Sequence, residues 1–84
     1  MSVYVITFRS ITFAQKAERI LKRYLIECTL RRTPKMLAEH GCGYCLQLRQ
    51  RDVLNAVMLI RQHQLHFGKI YELDETGQAE ERIL

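Results

Sequence analysis

Short stretches with a two-residue hydrophobic rhythm alternate along this chain with two longer ones that have a helical rhythm. Val3-Tyr-Val-Ile-Thr-Phe8 is β-branched and aromatic, too apolar for an edge, and reads as a first strand. Arg9-Ser10-Ile11 reads as a turn. Thr12-Phe-Ala-Gln15 then fits a capping box, with Thr12 as N-cap and Gln15 at the third helical position. Phe13, Ala17, Ile20, Leu21 and Tyr24 follow at helical spacing. They predict an amphipathic helix over 13–25, with Lys16, Arg19, Lys22 and Arg23 on its wet side.

Ile26 to Arg32 alternates again, with Ile26, Cys28 and Leu30 on one face, until Pro34 ends the run. Thr33 to Glu39 has room for one or two helical turns, capped by Thr33, before Gly41 and Gly43 interrupt it. Tyr44 to Arg49 predicts a third strand with Tyr44, Leu46 and Leu48 inward and Cys45 on the opposite face. Residues 51–64 read as a second, richly apolar helix, and Phe67 to Leu73 as a last strand.

Strand, helix, strand, strand, helix, strand is the order of an α+β, ferredoxin-like βαββαβ chain. It predicts a four-stranded antiparallel sheet with both helices on one face. Residues 1–74 are expected to form a single domain, followed by a mobile acidic tail over 75–84.

Charge sharpens this picture. Residues 1–69 carry 12 Lys/Arg against 4 Asp/Glu, whereas 70–84 carry 5 Asp/Glu against 1 Arg. A basic body suits a nucleic acid, an anionic ligand or an acidic partner, and it is also an ordinary solvated surface. No apolar run is long enough to span a membrane and no signal-type segment opens the chain, so a cytoplasmic protein without membrane contact is expected. Three cysteines do not make a disulfide framework. In a reducing compartment they are free, reactive or metal-bound.

The candidate chemistry lies in His-Gly-Cys-Gly-Tyr-Cys, residues 40–45. In the expected topology three connections share one end of the sheet: residues 9–11, 33–43 and 63–66. Cys42 would then sit at the mouth of the first helix, near Arg9, Ser10 and the Thr12 cap. There the helix dipole, the orphan N–H groups and the Arg9 charge favour a thiolate. Gly41 and Gly43 would let the backbone approach a small ligand. Cys45, of opposite parity, is a secondary thiol pointing to the open sheet face, and Cys28 reads as core. Other readings stay open. A Cys-x-x-Cys redox pair belongs at a strand-to-helix junction, whereas this one leads from a loop into a strand. Zinc would need Cys42 and Cys45 joined by His40, His63 or His66, without a second ligand pair at finger spacing. Two small half-buried residues with no chemistry is the plainest option. RNA binding through the open sheet face lacks the aromatic signature of such domains, and nucleic acid is not the expected partner. A purely regulatory module, a homodimer through the uncovered face or the sheet edges, is the remaining class.

Over roughly residues 3–73 the sequence resembles the small bacterial selenium/sulfur (Se/S) carrier protein-like domains. The resemblance is carried by Tyr4-Val-Ile-Thr-Phe-Arg-Ser10, Ala14-Gln-Lys-Ala-Glu18, Arg32-Thr33-Pro34, Cys42-Gly43 with Leu46, and Ile70-Tyr71-Glu72. It implies a carrier whose reactive thiol is Cys42, beside the Phe8-Arg9-Ser10 turn. Such a protein would accept sulfur or selenium from a donor protein and pass it to an acceptor, without a cofactor or resident metal, and as an accessory protein more than a stand-alone enzyme. The chain departs from the family in carrying Cys45 and in having Met36 to His40 where a Ser-rich loop is usual.

Overall fold

The computed structural model describes residues 3–37 and 43–84. Its elements are β1 (Val3–Phe8), α1 (Ile11–Arg23), β2 (Thr29–Arg32), β3 (Tyr44–Arg49), α2 (Gln50–Gln62), β4 (Ile70–Leu73) and β5 (Ala79–Arg82). They form a two-layer α+β structure with one antiparallel sheet in the order β2-β3-β1-β4-β5. Each strand–helix–strand half leaves a gap that a strand of the other half fills, so β1 and β3 are central.

The sheet has five strands where four were expected. The fifth comes from the segment expected to be an acidic tail. Asp74 Oδ1 accepts from Thr76 N–H, Thr76 Oγ1 and Gln78 N–H, and this turn folds Ala79–Arg82 back along β4. Arg82 then reaches Glu72 and Glu80 at 2.9 and 3.2 Å. A strand reading Ala-Glu-Glu-Arg is invisible to hydrophobic rhythm because the turn chemistry and these pairs hold it.

Tyr4, Ile6, Phe8, Leu46, Leu48 and Ile70 project from one face of the sheet onto Ala14, Ala17 and Leu21 of α1 and Val53, Ala56, Val57 and Ile60 of α2. The small alanines of both helices let the backbones approach the sheet closely. β3 passes into α2 without an intervening loop residue, Arg49 serving as N-cap with no side-chain cap bond.

Both helices stop in the same way. Leu25 at φ 63° and Gln64 at φ 58° are left-handed. Leu25 N–H bonds Lys22 O and Ile26 N–H bonds Leu21 O, and Gln64 and Leu65 repeat the pattern on Arg61 and Ile60. Each is a Schellman motif whose following apolar residue, Ile26 or Leu65, turns back to the core. This shortens the expected second strand: it starts at Thr29 instead of Ile26 because the helix cap uses residues 24–26.

Candidate functional site

One row of residues across the sheet locates the site. Phe8 of β1 lies opposite Tyr44 of β3, and Tyr44 lies opposite Arg32 of β2. Beyond that row, at the same end of the sheet, come Arg9 and Ser10, then Gly43, then Thr33 to Leu37. Thr33 N–H bonds Gly43 O at 3.1 Å, and Gly68 N–H bonds Thr7 O, which brings the segment before β4 to the same end. The three connections expected to converge do so in their described parts. Cys42, with Gly41 and His40, lies outside the described residues.

Gly43 is buried. A Cβ added there would stand 3.2 Å from the Phe8 carbonyl oxygen and 3.4 Å from Thr33 Oγ1. Its missing side chain is therefore used by close packing against the end of β1. Ser10, and not Thr12, is the N-cap of α1: its backbone is extended at φ −125° and ψ 150°, and its Oγ accepts from Phe13 N–H at 3.2 Å. The correction has a local cause. Ser10 is only the second residue past the strand, after Arg9, so the chain enters the helix there without an extra turn. Thr12 then sits exposed in the first helical turn, where the N–H groups of Ile11 and Thr12 have no intrahelical acceptor. No acidic residue occupies that turn, whereas Asp52 sits in the first turn of α2. Arg9 is exposed beside it. The start of α1 thus has no carboxylate in its own first turn and has a cation and a hydroxyl alongside, an arrangement that favours an anion.

The two described cysteines are held as thiols. Cys45 projects from the face away from the helices, opposite Thr7 and Arg31, yet only 1% of it is exposed. Arg31, which pairs with it across the strands, donates to Gln47 Oε1 at 2.8 Å. Burial pushes the Cys45 thiol pKa up; the nearby Thr33 hydroxyl and the Arg31 guanidinium draw it only partly back. Cys28, half-buried against the core, is also raised, first by burial and then by the Glu18 carboxylate, with Lys22 opposing.

Elsewhere the expected site residues separate. His63 is the C-cap of α2 and His66 lies exposed after it. Among the described residues no group of three or more His, Cys, Asp or Glu stands close enough to share a metal. Also among them, no helix is long and apolar enough to cross a membrane. Two contacts at this end escaped sequence reading: the Arg32 guanidinium lies 5.8 Å from the Tyr44 ring centroid, and the Arg61 guanidinium 5.6 Å from that of Phe67. The first joins directly paired residues on β2 and β3, which strand register alone could have suggested.

Comparisons with curated proteins and with solved structures return no match. The model of one family, described as "Putative Se/S carrier protein-like", matches residues 3–72, from the first residue of β1 to the third of β4. The chain belongs to that family.

Proposed function

We propose that this protein is a sulfur or selenium carrier whose working group is the Cys42 thiol, presented at the start of α1. The observation that carries the reading is the seat of Gly43, the residue bonded to Cys42, against the Phe8 carbonyl next to Arg9 and the Ser10 cap. A hydroxyl that accepts one cap bond still has its own O–H to donate. Arg9, Ser10 and the first-turn N–H groups near Thr12 then favour the thiolate and the anionic terminal sulfur it carries. The raised pKa values of Cys28 and Cys45 support the same choice, since both stay protonated where a carrier must react.

The sulfur step is an exchange without net oxidation. The Cys42 thiolate attacks the terminal sulfur of a persulfide on the donor protein. The sulfur–sulfur bond in the donor breaks, a new one forms on Cys42, and the donor cysteine leaves as thiolate. The acceptor repeats the exchange in the other direction. Selenium would travel as the corresponding selenosulfide. Cys45 is a sheltered neighbour in sequence with no part in the step. A reducing cytoplasm would suit three unpaired thiols.

Intact mass after incubation with a persulfide-charged cysteine desulfurase tests the reading. One added sulfur is expected on the wild-type chain and on the Cys28→Ser and Cys45→Ser variants, and none on Cys42→Ser. Labelling that survives Cys42→Ser would refute it.

A further inference from the structure

One end of the sheet is cationic in its described segments, and the other carries both signs. The described segments that meet at the end bearing Gly43, residues 9–13, 32–37, 43–44 and 61–68, contain Arg9, Arg32, Lys35 and Arg61 and no Asp or Glu; Glu39 lies outside the described residues. At the opposite end, where α1 and β4 end and β2 and α2 begin, the signs are mixed: Glu27, Asp52, Asp74 and Glu75 stand with Lys22, Arg23, Arg49 and Arg51. Large apolar side chains are exposed at the cationic end too: Ile11 (40%), Phe13 (37%) and Met36 (72%). Ile11 and Phe13 flank the start of α1, and Met36 rides on the turn after β2, so the three stand on either side of Gly43.

From this juxtaposition we infer that the cationic end is a docking surface for an acidic protein partner that inserts apolar contacts between Ile11, Phe13 and Met36. The inference rests on the carrier reading for what the partner does there, namely donate or receive the sulfur atom. Charge complementarity identifies the partner as acidic. The side chains favour a protein over a nucleic acid. Of the three exposed side chains only Phe13 has a flat face on which a base could stack, and the rings of Tyr44 and Phe67 already have guanidinium groups over them. Cations at the margin would speed the encounter and set its salt dependence, while the apolar side chains would slow release.

The test uses a persulfide-charged cysteine desulfurase as macromolecular probe, a low-molecular-weight alkyl persulfide as small donor, and a single-stranded RNA oligonucleotide as competing polyanion. The variants are Lys35→Glu/Met36→Ser and Ile11→Ser, all at exposed positions, with circular dichroism checking their folding. Expected for both variants is about a tenfold loss in desulfurase association and in transfer from it, with loading from the alkyl persulfide unchanged. The charge-reversed variant should also lose most of the salt dependence of association. Four results would overturn the docking surface: no association of the wild-type chain, association indifferent to the substitutions, equal losses with both donors, or RNA binding that these substitutions abolish. Association that depends on these residues, together with no loading of Cys42 by either donor, would refute the carrier reading and leave the docking surface standing.

Discussion

At the scale of single residues, the two described cysteines share one condition. Cys28 and Cys45 have pKa values raised from 9.0 by burial, so their neutral forms are the ones the fold accommodates. A raised folded-state pKa leaves stability intact below the unfolded value and removes it as pH rises through the folded one. We therefore expect the denaturant midpoint to be insensitive to these thiols through neutrality and to fall above about pH 9. The fall should be smaller in a Cys45→Ala variant, itself less stable by about 1 kcal/mol from lost packing. Alkylation with iodoacetamide at neutral pH should label a single cysteine quickly, and Cys42→Ser should abolish that fast phase. Sequence parity correctly placed Cys45 on the face away from the helices. It could not reveal the burial, because parity says which way a side chain points and nothing of what covers that face. The choice of Ser10 over Thr12 as cap was equally out of reach, because both fit the local pattern and only the end of β1 decides between them.

At the scale of elements, the paired helix ends make the strongest stability statement. Leu25 is 92% exposed and held at φ 63°, a backbone conformation that disfavours a side chain with Cβ. Glycine there, or in place of Gln64, should raise stability by about 0.5–1 kcal/mol each, or roughly 4 °C in thermal midpoint per substitution. The two sites belong to different helix ends, so their effects should add. Gly68 is the opposite case. A Cβ on it would meet Thr7 Oγ1 at 2.5 Å, and that oxygen is already engaged with Lys69 N–H at 2.8 Å. Gly68→Ala should cost about 1–3 kcal/mol, and Thr7→Ala in the same chain should recover part of the loss, readable in a double-mutant cycle of urea midpoints. Hydrophobic rhythm located both helices and the three strands β1, β3 and β4, because each of them buries a face. It overran the starts of β4, which begins at Ile70 and not Phe67, and of β2, since nothing in Leu-Ile-Glu-Cys says that leucine will adopt the conformation usually left to glycine.

At the scale of the whole molecule, β5 is the addition that the sequence hid. It lies beyond the stretch that matches the family, residues 3–72, and is joined to β4 through the Asp74 turn. Just after β5, Leu84 packs against the core. Removing residues 77–84 should lower stability by about 2 kcal/mol, mostly through the apolar cover lost with Leu84 and the half-buried Ala79. Stability is the smaller part of what the deletion changes. Without β5, the outer backbone N–H and C=O groups of Ile70–Leu73 would face solvent beside the side chains of Ile70, Tyr71 and Leu73. An uncovered ribbon of that kind is a template on which further copies of the chain can add, so the shortened protein should form thioflavin-positive aggregates at concentrations where the full chain stays clear. The modest Ala-Glu-Glu-Arg strand would then act chiefly as a guard against fibrils.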